Sequence, residues 1–217
     1  MRKHSGLFVT VEGIEGVGKS TAIGYMQALL QEKQVDAVVT REPGGTEIAE
    51  AIRKLILNHY TEKMTQETEL LLMFASRSQH IANIILPNLL EGKLVISDRF
   101  TDASFAYQGA GRGLPENFIA SLEKWVQKDL RPDLTILLDA SATLGAHRAK
   151  HRGVAADRIE QEKIQFFERV RACYLTRAEL EPERFRLIDA SKSLPQVKAQ
   201  VKAVMETFLS EHYHART

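Results

Sequence analysis

Apolar residues fall along this chain in two periods. Short runs rich in valine, isoleucine and leucine, at 7–11, 37–40, 94–97, 134–138 and 185–188, have the length of buried strands. Between them, apolar positions recur every three or four residues, as over 21–30 and 67–90, the spacing of a helix with one buried face. Pro87 lies inside the second pattern and predicts a kink or an end there, because its ring removes an N–H and crowds the preceding turn. A last amphipathic pattern runs from 194 to about 213. Strand–helix alternation of this kind predicts an α/β fold: a five-stranded, mostly parallel sheet with helices on both faces. No repeat, low-complexity tract or Pro/Gly-rich linker interrupts it, so residues 1–217 read as one domain.

The link between the first run and the first helix carries chemistry. It reads Gly13-Ile14-Glu15-Gly16-Val17-Gly18-Lys19-Ser20, followed by Thr21, and fits G-x-x-x-x-G-K-[ST]. In a strand–loop–helix context such a loop turns several N–H groups inward, and the helix N-terminus adds partial positive charge, so the ligand is a phosphate chain. Lys19 would reach the β- and γ-phosphates, and the Ser20 hydroxyl would ligate Mg²⁺. The run at 94–97 leads into Asp98 and Arg99. An acid at such a strand end holds the same Mg²⁺ in phosphate-loop proteins, and the neighbouring guanidinium suits a second phosphate group.

Composition narrows the picture. The chain has 217 residues and a formal net charge of +1, which argues against a nucleic-acid partner recruited by bulk charge. The single cysteine, Cys173, sits in a helical pattern and reads as a small apolar residue. The N-terminal apolar run is too short for a signal peptide and no stretch reaches membrane-span length, so a cytoplasmic protein with no membrane partner is expected. His212 and His214 have metal-ligand spacing but lie at the tail, where a solvated, fraying end is the simpler account.

The guanine-reading N-K-x-D and the D-x-x-G of GTPases are both absent, which disfavours transfer to water. Arginines instead gather at element ends: Arg41, Arg77, Arg99, Arg148, Arg152 and Arg158. A triphosphate together with a second phosphorylated substrate accounts for that many cations better than a triphosphate alone.

Four further stretches follow the loop in order: Thr40-Arg41-Glu42-Pro43-Gly44-Gly45-Thr46; Phe74-Ala75-Ser76-Arg77; Asp98-Arg99-Phe100, continuing through Ser104-Phe105-Ala106-Tyr107-Gln108-Gly109; and Asp157-Arg158-Ile159-Glu160. Together they resemble the thymidylate kinases, phosphate-loop nucleoside monophosphate kinases that make dTDP from dTMP and ATP. The resemblance runs from about Phe8 to about Leu187.

It implies roles. Gly13, Ile14, Glu15, Gly16, Val17, Gly18, Lys19, Ser20 and Thr21 would bind ATP, with Mg²⁺ at Ser20 and Asp98. Phe74 would stack on thymine and Arg77 would hydrogen-bond it. Arg99 and Arg41 would grip the dTMP phosphate, at a turn made by Glu42 and Pro43 whose bond is typically cis in this family. Ser104, Tyr107 and Gln108 would line the sugar and base, with Tyr107 disfavouring a ribose 2′-hydroxyl and Glu15 approaching the 3′-hydroxyl. A basic lid over 147–158, beginning His147-Arg148-Ala149-Lys150-His151-Arg152, would close over the phosphates. Gly16 stands where one subtype carries its catalytic arginine, so the chain resembles the other subtype, often bacterial, whose lid supplies it. Lys150 stands where that subtype often repeats arginine, which leaves both Arg148 and Arg152 as candidates beside Lys19 and Arg99. The family also suggests a homodimer packed through helices. Two other readings stay open: a kinase for a different small nucleotide or deoxynucleoside, and a nucleotide-binding regulatory module without turnover.

Overall fold

The computed structural model describes residues 4–151 and 157–212. Each apolar run forms a strand: β1 (Leu7–Glu12), β2 (Ala37–Arg41), β3 (Leu94–Asp98), β4 (Leu134–Asp139) and β5 (Phe185–Asp189). The five form one sheet in the order β2-β3-β1-β4-β5, and every pairing is parallel. Each strand continues one residue past its apolar run, so Glu12, Arg41, Asp98, Asp139 and Asp189 all end at one edge. Backbone pairing carries the chain past the point where hydrophobicity stops. The carboxyl edge of an open parallel sheet is where α/β proteins place ligands.

Helix α1 (Lys19–Glu32) joins β1 to β2, crossing β3, and the later crossovers run the other way along the sheet. With right-handed crossovers the two directions put helices on opposite faces. Thus α1 packs with the last helix, α9 (Leu194–His212), on one side. The other side holds α2 (Glu47–Leu57), α3 (Gln66–His80), α4 (Leu86–Leu90), α5 (Thr101–Ser104), α6 (Glu116–Gln127), α7 (Ala142–Lys150) and α8 (Ile164–Leu180). Strand β1, buried at all six positions, is the hub: Leu7, Val9 and Val11 alternate with Phe8, Thr10 and Glu12.

The helix does not end at Pro87 but runs on to Leu90. Its hydrogen bonding widens one turn earlier, in a π-helical turn at Ile81–Ile85, where Leu86 N–H donates to Ile81 O. Proline offers no N–H and crowds the carbonyl four residues back, and the wider turn accommodates both. A second π-helical turn, Phe105–Gly111, carries Tyr107 and Gln108 and packs on α8. Cys173 is half-buried in α8, where burial pushes its thiol up to about 11, consistent with an inert packing role. His212 Nδ1 lies 3.0 Å from Phe208 O, no group of metal-ligating residues occurs among the described residues, and His214 lies outside them.

Candidate active site

The loop from Gly13 to Gly18 needs unusual backbone: φ is +133° at Gly13, +74° at Gly16 and +96° at Gly18. It hands the chain to α1 at Lys19. The Lys19 ammonium donates to the carbonyls of Gly13 (3.1 Å) and Ile14 (3.0 Å), folded over the loop it belongs to. Burial, with Arg99 nearby, lowers its pKa to about 8 against the pull of Asp98, Glu15 and Glu12.

Asp98 ends β3 beside β1 and shares a groove with Ser20. Its Oδ1 is buried and has no hydrogen-bond partner among the described residues. A buried oxygen acceptor without a donor, next to a loop hydroxyl, fits a hard divalent cation.

A cleft of about 80 Å³ opens next to the loop, lined by Glu15, Glu42, Pro43, Arg77, Arg99, Ser104, Tyr107 and Gln108 among others. Eight residues drawn from four separate stretches of sequence thus meet in one wall. The Glu42–Pro43 bond is cis. Glu15 Oε1 accepts from Arg99 Nη2 at 2.8 Å, and its Oε2 accepts from the Tyr107 hydroxyl at 2.7 Å. Tyr107 also accepts from Arg99 Nη2 at 2.9 Å. Burial holds the Tyr107 hydroxyl in its neutral form, its pKa well above the usual value.

Arg77 is almost fully buried. It donates to Glu42 Oε2 (2.7 Å), Ser104 Oγ (3.0 Å) and Phe100 O (3.2 Å), which ties the acceptor turn to the π-helical wall. His80 supports the same turn, with Nδ1 at 2.9 Å from Glu42 and Nε2 at 2.6 Å from Thr40 Oγ1.

Several expected residues stand elsewhere. Phe74 is buried, with the Arg77 guanidinium 4.6 Å above its ring, and is not among the residues that line the cleft. Arg41 points away from the cleft into an ion pair with Glu50 at 3.0 Å. Arg53 takes the cleft position instead, donating to Pro43 O at 2.8 Å. Burial and the nearby Arg41 both lower its pKa, the mark of a cation short of counter-charge. A signal for Arg53 existed: it falls four residues after Ala49, which is fully buried, and so shares that face of α2. Arg158 bonds Glu69 Oε2 at 2.6 Å and Ile56 O at 2.9 Å, which fixes it as a brace. Arg148 donates to Ala190 O at 2.7 Å and lines a second groove with Gly16, Gly18, Thr21 and Lys198, none of which lines the cleft. Arg152 lies outside the described residues. Asp157 and Ile159, from the fourth stretch, also line the cleft, and one group that no motif included is the buried Glu12.

A parallel sheet whose carboxyl edge carries a phosphate loop between two grooves, one of them walled by arginines, defines the class: a phosphate-loop phosphotransferase with two anionic substrates. Comparison with known proteins narrows this. The thymidylate kinase family model matches residues 11–201. A thymidylate kinase of Nitrosomonas europaea is 51% identical over 206 residues, covering 95% of each chain. One from Pseudomonas putida is 52% identical over 205 residues, 94% of this chain and 97% of its own. A crystal structure of thymidylate kinase from Ehrlichia chaffeensis superposes with a TM-score of 0.74 at 32% identity, covering 93% of this chain and 99% of the other. The chain belongs to the thymidylate kinase family, and it is a nucleoside monophosphate kinase.

Proposed function

We propose that the protein transfers the γ-phosphoryl group of ATP to dTMP, giving dTDP and ADP, from a single domain with a lid over 147–158. The observation that carries this is the Glu15–Arg99–Tyr107 cluster. It links the phosphate loop to the acceptor cleft through hydrogen bonds of 2.7–2.9 Å, so donor and acceptor sites share one polar hinge.

The acceptor is already a phosphate anion, so no base is needed to make a nucleophile. The task is to hold two anions in line. Lys19 leaves its loop carbonyls for the β- and γ-phosphates, exchanging neutral acceptors for charged ones. Arg99 and Arg53 face the acceptor phosphate from two sides of the cis turn. Arg77 keeps donors for the base, while Glu42, Ser104 and Phe100 fix its plane. Tyr107, as a neutral hydroxyl locked between Glu15 and Arg99, closes the sugar side and leaves no room to bend around a 2′-hydroxyl. Ser20 and Asp98 would hold Mg²⁺, which supplies charge neutralisation on the transferring group when bound. The lid excludes water, which otherwise wastes ATP. Among the described residues no helix is long and apolar enough to cross a membrane; we place the enzyme in the cytoplasm, where its substrates are.

ADP release from ATP, measured with dTMP, dUMP, dCMP, dAMP and thymidine as acceptors, tests the assignment. The expected result is a kcat/KM for dTMP at least tenfold above that for every other acceptor, since a buried polar wall rejects groups that leave it unpaired by ~10-fold or more. Turnover that is equal with dCMP, or absent with all five, overturns it.

A further inference from the structure

Arg99 follows β3 with φ +71°, the left-handed region that residues other than glycine enter at a cost. Something must hold it there. Glu12, the last residue of β1 and fully buried, accepts the backbone N–H of Phe100 through Oε1 at 2.7 Å. Its Oε2 accepts from the hydroxyl of Tyr174, 2.7 Å away on α8. The Tyr174 oxygen in turn accepts from Arg99 Nη1 at 3.1 Å. One carboxylate therefore fixes the backbone immediately after Arg99 and, through one hydroxyl, the guanidinium itself.

The guanidinium is divided by these contacts. Nη1 faces inward, to Gly13 O at 2.8 Å and Tyr174. Nη2 faces the cleft, to Glu15 and Tyr107. Tyr174 and Glu12 line no part of the cleft, whereas Arg99, Glu15 and Tyr107 do.

We propose that Glu12 and Tyr174 are a positioning pair: from behind the site, without touching substrate, they aim Arg99 at the acceptor phosphate. This rests on the reading that Arg99 grips that phosphate.

Stability alone does not explain the pair. Glu12 is enclosed by Asp102 of α5, Tyr174 of α8, Arg99, and Lys19 of α1. Burial, and then Asp102, push its pKa up to about 7, although Arg99, Tyr174 and the Phe100 N–H favour the charged form. A carboxyl with a raised native pKa binds protons more tightly folded than unfolded. Its ionisation therefore costs stability as pH rises from the unfolded carboxylate range through about 7. An apolar residue in this place would avoid that cost. Retaining an acid there makes sense when its second hydrogen bond orders a functional group.

Steady-state kinetics at pH 8 with ATP and dTMP, alongside thermal unfolding, decide the matter. Turnover of dTMP by the unaltered protein tests the underlying reading separately. Tyr174→Phe removes the hydroxyl and keeps the ring. The expected result is a fall of about tenfold, and no less than about threefold, in kcat/KM for dTMP, the size of a lost hydrogen bond to a charged group. KM for ATP should stay within about twofold, because the loop contacts are untouched. Glu12→Gln should reproduce the loss in kcat/KM for dTMP while Tm at pH 8 holds or rises, since the amide removes a buried ionisation; its KM for ATP is no criterion, because Glu12 also supports the charge on Lys19. A purely structural pair predicts the reverse: lower Tm in both variants, with both KM values moving together. The proposal is overturned if folded Tyr174→Phe keeps kcat/KM for dTMP within about threefold, or if its loss falls equally on ATP. Should Glu12→Gln fail to fold, Tyr174→Phe decides alone. None of these results disturbs the dTMP kinase reading.

Discussion

Lys19 was legible from spacing, but its chemical state was not. The motif places it at the loop–helix junction; only packing surrounds it with Arg99, Asp98, Glu15 and Glu12 and sets its pKa at about 8. The sign of the consequence follows. Below about pH 8 the free enzyme carries the ammonium; above it the charge is lost, and so is its attraction for a triphosphate. Bound phosphates raise the pKa again, so binding takes up a proton. KM for ATP should therefore climb between pH 8 and 9.5 by up to about tenfold per pH unit of lost protonation, with proton uptake near pH 8.5. Calorimetry of ATP-analogue binding in buffers of different ionisation enthalpy reads the uptake directly. A flat KM across that range, with no uptake, means that Lys19 keeps its charge by other means.

At the scale of elements, the lid helix shows why the loop carries no arginine. A Cβ on Gly16 would lie 2.0 Å from Gly145 O of α7, and a Cβ on Gly145 would lie 2.5 Å from Glu15 O. The two glycines let the helix and the loop touch backbone to backbone. A side chain at position 16 would separate them, which supports our proposal that the cation for the transferring group comes from the lid. The sequence left Arg148 and Arg152 as alternatives. Arg148 is tethered to Ala190 O in the groove that it shares with Gly16, Gly18 and Thr21 and does not line the acceptor cleft. We therefore assign transfer to Arg152. Arg152→Ala should lower kcat by at least about a hundredfold, within the range for arginine fingers. Arg148→Ala should instead raise KM for ATP and spare kcat to within a few-fold. Steady-state kinetics with those roles exchanged would reverse the assignment.

The whole molecule presents a surface that the isolated fold leaves open. Leu71 on α3 is 58% exposed, and Phe118 and Trp125 on the neighbouring α6 are 57% and 78% exposed. Phe118 and Trp125 are seven residues apart, so they share one helix face. Large apolar groups concentrated on packed neighbours mark an interface, and the occupant we predict is a second copy of this chain. Sedimentation equilibrium should give twice the 24.4 kDa chain mass, and Trp125→Glu should shift the protein toward the single-chain mass. A single-chain mass for the unaltered protein would end this proposal.

Hydrophobic period determined the sheet and its parallel strands, and the glycine motif between the first strand and helix determined the loop that cradles phosphate, because these depend on local pattern and on residues close in sequence. The resemblance to the thymidylate kinases marked the stretches that form the acceptor cleft. Tertiary structure decided which arginine points where. Arg41, Arg53 and Arg158 have the same side chain but take different roles. They are separated by the partners that folding gives them: Glu50 for Arg41, the Pro43 carbonyl for Arg53, and Glu69, 89 residues away, for Arg158. The same holds for Glu12, which reads as the end of a strand until folding sets it between Tyr174, 162 residues away, and Phe100, 88 residues away. A charge takes its meaning from what neutralises it. In this chain packing selects the groups that meet each charge, so pattern locates the site and packing assigns its roles.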